Sequence, residues 1–237
     1  MITAIIAAGG SGLRMKADVR KQYLLLDNVP ILTRSLFPFD DAPQIDRIIM
    51  TVPEGDLAYC KNNIVGPYPF KKKIEIIKGG RDRQASVFEG LKAAHGSRIV
   101  LIHDGVRPFV TREIIDACLL EVKHYGACIT AIPAIDTLKQ LDRHERVIGT
   151  IERKKIWMAQ TPQCFDYNLI YDAHRAANEK RLFVTDDAAL IEKMGKPISV
   201  VEGSRCNMKI TTPEDLKLAI AVMAVHAEAA QKEGEPS

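Results

Sequence analysis

The sequence has no Cys-x-x-Cys pair, no long apolar run and little excess of one charge, and each of these features argues against a class of protein. The five cysteines are odd in number and never stand as Cys-x-x-Cys, which argues against a disulfide framework and a structural zinc site. No apolar run approaches the ~20 residues that cross a bilayer. A formal charge of +3 is too small to predict a surface for nucleic acid or membrane.

The N-terminus also lacks the basic and apolar segments of a secretory signal, so we expect a cytoplasmic protein. Hydrophobic residues make up 46% and charged residues 27% of the chain, as is ordinary for a globular protein. A length of 237 residues fits one large α/β unit. We therefore predict a single domain over residues 1–237.

Short runs rich in Ile and Val alternate with helical patterns along the chain, which indicates a mostly parallel sheet flanked by helices. The predicted strands are 2–8, 45–52, 74–78, 98–103, 127–133 and 198–202. The predicted helices are 86–94, 111–124, 166–178, 186–194 and 213–230. Because the strand runs show little polar alternation, helices should cover both faces. The fold class is therefore predicted as a Rossmann-like α/β domain with a twisted sheet.

A segment at about 135–156 interrupts this alternation. Strand patterns at 137–141 and 147–151 flank the turn-like sequence Asp142-Arg143-His144-Glu145. A two-stranded arm is only marginally stable alone in water, so it should pack on another surface. We expect that surface to belong to a second copy of the chain, which makes this β-arm a dimerisation element.

The first predicted strand leads into a loop of small and cationic residues. They are Ala8, Gly9, Gly10, Gly12, Arg14 and Lys21. Small residues let main-chain N–H groups approach phosphate oxygens, and the cations add full charge. Met15 stands where a dinucleotide loop needs its third glycine, and no Gly-Lys pair forms a P-loop. The loop alone thus favours a phosphate site, with a plain glycine turn as the alternative.

Three more polar segments follow predicted strands, where ligands of open α/β sheets bind. They are 79–86, 103–108 and 207–211. Asp104 is a natural Mg²⁺ ligand beside a phosphate site, and the alternative is a structural pair with Arg107. His103 is expected to be packed or hydrogen-bonded rather than a base. Arg14, Lys21, Asp104 and Lys209 together supply three cations and one metal ligand, which favours phosphoryl or nucleotidyl transfer, in which phosphate charge must be neutralised.

A set of motifs runs along nearly the whole chain. The motifs are Ala8-Gly9-Gly10-x-Gly12-x-Arg14-Met15, Lys21-Gln22-Tyr23, Gly79-Gly80-x-x-Arg83-x-x-Ser86-Val87, His103-Asp104-x-x-Arg107-Pro108, Trp157-x-x-Gln160-Thr161-Pro162-Gln163, Thr185-Asp186-Asp187-Ala188, Glu202-Gly203 and Asn207-x-Lys209-Ile210-Thr211-x-Pro213-Glu214-Asp215-Leu216. Their order and spacing closely resemble the 2-C-methyl-D-erythritol 4-phosphate cytidylyltransferase family. This family carries out the CTP-dependent step of the non-mevalonate isoprenoid pathway, in which a sugar-alcohol phosphate attacks the α-phosphate of CTP and pyrophosphate leaves.

The resemblance also implies roles for individual residues. The catalytic residues would be Arg14, Lys21, Lys209 and Arg153. The nucleotide would contact Ala7, Ala8, Gly9, Gly10, Gly12, Gly80, Arg83, Ser86, Asp104 and Gly105. The sugar-alcohol phosphate would contact Thr137, Arg153, Thr161, Thr185 and Arg107. Asp104 would bind Mg²⁺ or another divalent cation. The family is homodimeric, and Thr137 and Arg153 would reach in from the partner's arm.

Two positions depart from the family pattern, and two other functions stay open. Arg20 stands where the family usually has proline, and Cys206 replaces an acidic residue that some members could use as a second metal ligand. Ribitol-5-phosphate cytidylyltransferase, a relative with the same loops, is the nearest alternative. A non-catalytic nucleotide-binding module is the alternative from another class, although retention of Lys21, Asp104 and Lys209 argues against it.

Overall fold

A seven-stranded sheet forms the centre of the molecule in a computed structural model that describes residues 1–10 and 20–233. The described residues form eleven strands, of which β2–β3 and β8–β9 form separate two-stranded sheets. The strands are Ile2–Ala7 (β1), Leu25–Leu26 (β2), Val29–Pro30 (β3), Arg47–Val52 (β4), Ile74–Lys78 (β5), Ile99–Asp104 (β6), Ala127–Pro133 (β7), Lys139–Leu141 (β8), Val147–Thr150 (β9), Trp157–Asp166 (β10) and Ser199–Glu202 (β11). The α-helices are Ile31–Asp41 (α1), Leu57–Tyr59 (α2), Arg83–Ala93 (α3), Arg112–Tyr125 (α4), Tyr167–Glu179 (α5), Ala188–Lys193 (α6) and Pro213–Glu233 (α7). A π-helical turn, Cys60–Val65, follows α2.

The strand order is β11-β7-β10-β6-β1-β4-β5, and every neighbouring pair is parallel except the two that involve β10. The predicted mostly parallel sheet is therefore confirmed. Because β1 and β6 are parallel neighbours, with Ala7 opposite Asp104, the loops after these strands leave the sheet side by side. This register brings the glycine-rich loop and Asp104 to one edge.

Strand β10 is absent from the strands predicted from apolar runs. Its sequence is interrupted by polar residues, yet three of them are buried because their side chains are hydrogen-bonded. Gln160 Nε2 donates to the Ser204 carbonyl at 2.8 Å, and Gln163 Nε2 donates to Asp186 Oδ2 at 2.7 Å. Thr161 contacts His103 in the same way. A criterion of continuous hydrophobicity misses a strand of this kind.

Helices cover both faces of the sheet, as the apolar strands predict. Ile6 and Leu101 face a core that includes Leu36 of α1 and Ile115 of α4. On the other face, α3 and α5 pack over a second core with residues such as Leu91. Helix α1 was not predicted from the sequence. It contains Pro38 and nevertheless holds seven buried residues.

Helix starts near the sheet edge are capped by side chains. Asp82 Oδ1 accepts from the Ala85 N–H at 2.8 Å and fixes the first turn of α3. At α7, Thr212 Oγ1 accepts from the Asp215 N–H at 3.2 Å, and Asp215 Oδ2 accepts from the Thr212 N–H at 2.9 Å. This reciprocal pair is the capping-box arrangement.

The arm forms the predicted hairpin, in which β8 pairs antiparallel with β9. Asp142 shapes its turn, because Asp142 Oδ1 accepts from the N–H groups of His144 and Arg146 at 2.8 and 3.0 Å. Large apolar side chains on the hairpin are exposed, among them Leu141, Val147 and Ile148. All five cysteines are free thiols, as predicted. In the described part of the chain, no helix is long and apolar enough to cross a membrane.

Candidate active site

A cleft of about 400 Å³ opens at the carboxyl ends of β1 and β6. Its lining residues are Ala7, Ala8, Gly9, Gly10, Lys21, Gln22, Arg83, Asp104, Val106, Lys209 and Thr211. Eight of these were predicted as site residues, from four separate segments of the sequence. The predicted Gly12 and Arg14 lie outside the described residues. A cleft at this position with three cationic side chains, Lys21, Arg83 and Lys209, on its wall suits a phosphate-bearing ligand.

The side chain of Gln22 holds the glycine-rich loop in place through hydrogen bonds. Gln22 is buried, and its Nε2 donates to the carbonyls of Ala8 and Gly10 at 2.9 and 3.2 Å. A Cβ added at Gly9 would lie 2.5 Å from Ser86 Oγ, so glycine is needed for this close approach. These bonds, together with the one from the Ala8 N–H to the Thr51 carbonyl, fix the inner side of the loop, and its outer side lines the cleft.

Ser86 and Gly80 form a second turn behind this loop. Ser86 is fully buried, and its Oγ accepts from the Gly80 N–H at 3.1 Å and donates to the Asp82 carbonyl at 2.7 Å. The structure places both residues next to the cleft rather than among its lining side chains. Their predicted contact with a nucleotide stays a prediction.

Asp104 is the centre of charge in the cleft. Arg83 Nε donates to Asp104 Oδ1 at 2.9 Å, and Lys209 Nζ lies 2.8 Å from Asp104 Oδ2. Arg107 Nε lies 3.6 Å from the same Oδ2. The carboxylate is 8% exposed, so these contacts act in a largely dry environment. One buried anion therefore gathers three cations at the strand end.

This arrangement keeps Asp104 ionised. Burial alone raises the pKa of its carboxyl, but the nearby cations, Arg83 first, outweigh burial and hold that pKa well below its ordinary value. For Arg83 itself, burial lowers the pKa, and the carboxylates of Asp187 and Asp104 raise it above its ordinary value. The cleft thus presents fixed charges at neutral pH.

Lys209 is aimed at Asp104 by the segment on either side of it. Asn207 is fully buried and donates from Nδ2 to the Thr161 carbonyl at 2.8 Å. Arg107 Nη1 donates to the Asn207 carbonyl at 2.7 Å, and the Ile210 N–H donates to the Val106 carbonyl at 2.9 Å. These bonds fix the backbone on both sides of Lys209 and keep its ammonium group beside Asp104.

His103 is packed and hydrogen-bonded, as predicted. Its Nε2 contacts the Arg107 carbonyl at 3.0 Å, and its Nδ1 contacts Thr161 Oγ1 at 3.0 Å. A carbonyl only accepts, so Nε2 carries the hydrogen and Nδ1 accepts from the threonine hydroxyl. Burial lowers the His103 pKa to about 4, which leaves the ring neutral. Both ring nitrogens are occupied, so His103 has no group available for proton transfer.

The other predicted substrate residues lie apart from one another. Thr161 is buried below Asp104, whose N–H donates to Thr161 Oγ1 at 3.1 Å. Thr185 is exposed in the loop before α6, and Thr137 and Arg153 are exposed on the arm. The guanidinium of Arg153 donates to the Ile135 carbonyl. Among the described residues, none of these four lines the cleft, and their role as substrate contacts stays a prediction.

A larger cavity, of about 760 Å³, lies between α3, α5 and the loop at 181–183. It includes Arg81, Phe88, His174 and Phe183 and contains none of the predicted site residues. Size alone would favour it as the site. We assign the chemistry to the smaller cleft because the strand ends, the cations and the ionised carboxylate converge there.

Gln22, Asn207 and Asp187 have no predicted site role, yet each contacts a predicted site residue. Gln22 and Asn207 each stand within two residues of a predicted lysine, so that proximity was an available signal. Asp187 contacts Arg83 across 104 positions of the chain, a separation that no local spacing reveals. The structure also gives Arg20 a partner, because Arg20 Nε lies 2.8 Å from Asp56 Oδ2.

A mostly parallel sheet with a glycine-rich loop, an ionised strand-end carboxylate and converging cations defines an α/β enzyme of the nucleotidyltransferase class. The family model described as 2-C-methyl-D-erythritol 4-phosphate cytidylyltransferase matches residues 2–225. The chain belongs to this family, whose members act in isoprenoid precursor biosynthesis.

Individual relatives agree with the family model. A protein from Syntrophus aciditrophicus (strain SB) named 2-C-methyl-D-erythritol 4-phosphate cytidylyltransferase is 44% identical, over 94% of this chain and 95% of its own. A protein of the same name from Clostridium kluyveri (strain NBRC 12016) is 42% identical, over 94% of this chain and 96% of the relative. The crystal structure of 4-diphosphocytidyl-2C-methyl-D-erythritol synthase from Anaerococcus prevotii DSM 20548 superimposes with a TM-score of 0.84 at 36% identity, over 94% and 96%. These names favour the methylerythritol branch over ribitol 5-phosphate.

Proposed function

We propose that the cleft at Asp104 is where this cytidylyltransferase aligns CTP with 2-C-methyl-D-erythritol 4-phosphate. The observation that carries the proposal is the convergence of Arg83 and Lys209 on one buried carboxylate beside the glycine-rich loop. The loop would hold the nucleotide through main-chain groups, and Lys21 and Lys209 would neutralise triphosphate oxygens. Thr211 and Val106 complete the wall of the cleft.

The reaction we propose is one in-line displacement. An oxygen of the methylerythritol phosphate forms a bond to the α-phosphorus of CTP, and the bond from that phosphorus to the bridging oxygen of pyrophosphate breaks. The products are 4-diphosphocytidyl-2-C-methyl-D-erythritol and pyrophosphate. The attacking phosphate is already ionised, so no protein base is required, in agreement with the neutral and fully hydrogen-bonded His103. Charge stabilisation and alignment are then the protein's whole contribution.

We propose that Asp104 would supply one ligand to a Mg²⁺ ion that is bound jointly with CTP. Within the described residues, no group of three or more Asp, Glu, His or Cys side chains could hold an ion. Mg²⁺ commonly takes one or two protein carboxylates and completes its shell with phosphate oxygens and water, and Asp104 is an ionised carboxylate on the cleft wall. When bound, the ion would neutralise charge on the phosphates.

The proposal includes a homodimer with sites shared between subunits. The arm is an exposed hairpin with apolar side chains, and surfaces of this kind mark protein contacts. Arg153 lies at its base, and its guanidinium suits a phosphate monoester. Thr137 and Arg153 of one subunit would complete the other's cleft at the sugar phosphate. The five free thiols fit a reducing compartment, and we propose the cytoplasm.

Pyrophosphate release tests the substrate directly. We expect release with CTP and 2-C-methyl-D-erythritol 4-phosphate together, and little with CTP and ribitol 5-phosphate. CTP alone is the control for hydrolysis. Turnover of ribitol 5-phosphate alone would contradict the assignment, and no turnover of either sugar phosphate would favour a non-catalytic nucleotide-binding protein.

A further inference from the structure

Two aspartates from opposite directions hold the guanidinium of Arg83. Arg83 Nε donates to Asp104 Oδ1 at 2.9 Å, and Arg83 Nη1 donates to Asp187 Oδ2 at 2.8 Å. Asp104 lies at the cleft, whereas Asp187 lies at the start of α6 with its side chain 1% exposed. The proposed mechanism uses Asp104 and assigns nothing to Asp187.

A buried histidine stands behind Asp187. His174 of α5 has a side chain that is 1% exposed, and its Nε2 lies 3.0 Å from Asp187 Oδ1. A carboxylate only accepts hydrogen bonds, so the hydrogen is on Nε2. The ring stacks on Phe88 with centroids 6.0 Å apart and an interplanar angle of 13°. His174 thereby fixes one oxygen of Asp187 and leaves the other for Arg83.

The chain His174–Asp187–Arg83–Asp104 joins α5, α6, α3 and β6 in one line of hydrogen bonds. Burying Asp187 is costly unless its charge is paired. Burial raises the pKa of its carboxyl, and Arg83 outweighs burial and lowers it, so Asp187 is ionised. A single charged bond to Asp104 would let the guanidinium rotate about that contact. The second bond, to Asp187, fixes its orientation at the cleft wall.

We propose that His174 and Asp187 are positioning residues for cytidylyl transfer, because they orient Arg83, which in turn fixes Asp104. This inference rests on the proposed location of CTP at the Asp104 cleft. Residues that act this way touch neither substrate, and their effect passes through the side chain that does.

A double-mutant cycle tests whether Asp187 acts through Arg83. The variants are Asp187→Asn, which keeps the shape and removes the charge, Arg83→Gln, and both together. We expect Asp187→Asn to lower kcat about tenfold with a smaller change in the KM for CTP. In the Arg83→Gln background, Asp187→Asn should have no further effect on kcat, because its target is already gone. The KM for the sugar phosphate should stay unchanged. An unchanged KM would show that Asp187→Asn has not displaced Thr185, a predicted sugar-phosphate contact two residues away.

Matched variants separate positioning from loss of fold. Asp172→Asn removes the exposed pair with Arg175, at 2.9 Å on the same helix as His174, and should leave kcat unchanged. His174→Gln keeps an N–H donor and should retain kcat within about twofold, whereas His174→Leu should lower it about as much as Asp187→Asn does. Thermal unfolding of each variant shows whether it is folded at the assay temperature.

The outcomes distinguish two failures. If Arg83→Gln lowers kcat and the effect of Asp187→Asn simply adds to it, the positioning role is wrong and the cleft assignment stands. If Arg83→Gln leaves kcat unchanged, the cleft assignment fails and the positioning role fails with it. Equal losses for His174→Gln and His174→Leu would also overturn the role of His174.

Discussion

Lys21 and Lys209 bring ammonium groups to one cleft from opposite ends of the chain, and their surroundings differ. Lys209 Nζ lies 2.8 Å from Asp104, so its charge is partly balanced before any ligand arrives. Lys21 lies in a short 3₁₀ turn, Lys21–Tyr23, directly before the Gln22 side chain that supports the glycine-rich loop. We propose that Lys21 meets the phosphate charge that develops beside the loop during transfer.

Lys21→Ala should lower kcat by about 10²–10³-fold while CTP binding weakens far less, because a cation aimed at developing charge acts mainly in the transition state. Single-turnover rates and calorimetric titration with CTP measure the two quantities separately. Lys61→Ala removes an exposed lysine elsewhere and should leave both unchanged. An unaltered kcat in Lys21→Ala would remove this residue from the chemistry.

His103 links the site to pH through stability rather than catalysis. Its pKa falls from an ordinary value of 6.5 to about 4 in the folded chain, because burial disfavours the charged ring. The unfolded chain thus binds more protons between these values. The contribution of His103 to the free energy of unfolding is present in full above pH 6.5 and is lost as pH falls toward 4. Its size is about 3 kcal/mol.

We expect His103→Gln to lose this part of the pH dependence. Urea unfolding of wild type and variant between pH 4 and 7.5 gives the difference in unfolding free energy, which should shrink as pH falls. His144→Gln, at an exposed histidine on the arm, is the control and should match wild type. Parallel curves for wild type and His103→Gln would contradict the lowered pKa.

Single residues also show what the sequence could and could not predict. Asp104 was identified because it ends a parallel strand beside β1, so topology alone brings it to the glycine-rich loop. Lys209 follows β11, at the far edge of the sheet, and it reaches the cleft because the segment after β11 is hydrogen-bonded to Thr161 and Val106. Asp187 has no such rule. Its contact with Arg83 depends on how α3 and α6 each pack against α5, which is a property of tertiary packing.

At the scale of elements, the sheet also contains strands that the sequence predicts and one that it does not. Six apolar runs correspond to six strands, whereas β10 is buried through side-chain hydrogen bonds and was missed. Helix α3 matters most for the site because its first residue is Arg83. Its distance from the sheet is set by Gly90, where an added Cβ would lie 2.6 Å from Ile5 Cγ2 and 3.3 Å from Thr51 Cγ2.

Gly90→Ala should therefore push α3 away from the sheet. We expect a net loss of roughly 1–2 kcal/mol in unfolding free energy, since overpacking exceeds the gain in helix propensity. The value of kcat should fall too, because Arg83 moves with the helix. Gly55→Ala is the matched control, as a Cβ there meets nothing within 4 Å. The unfolding free energy and kcat of both variants are the measurements that test this expectation. A Gly90→Ala protein more stable than wild type would show that α3 is not closely packed against the sheet at this position.

At the scale of the whole molecule, the exposed arm makes a prediction about pairs of subunits. If Arg153 completes the partner's cleft, Arg153→Ala should mainly raise the KM for the sugar phosphate, and Lys21→Ala should mainly lower kcat. In a mixture of the two variants, a mixed dimer has one site with both residues intact and one site with neither. Random mixing in equal amounts should then restore about a quarter of wild-type activity, since half the dimers are mixed and each has one working site.

Mixing Arg153→Ala with Thr137→Ala should restore nothing, because both residues come from the same arm and every site keeps a defect. Activity measured after the subunits have been unfolded and refolded together reports the result, and no recovery in the first mixture would place Lys21 and Arg153 of a site on one chain.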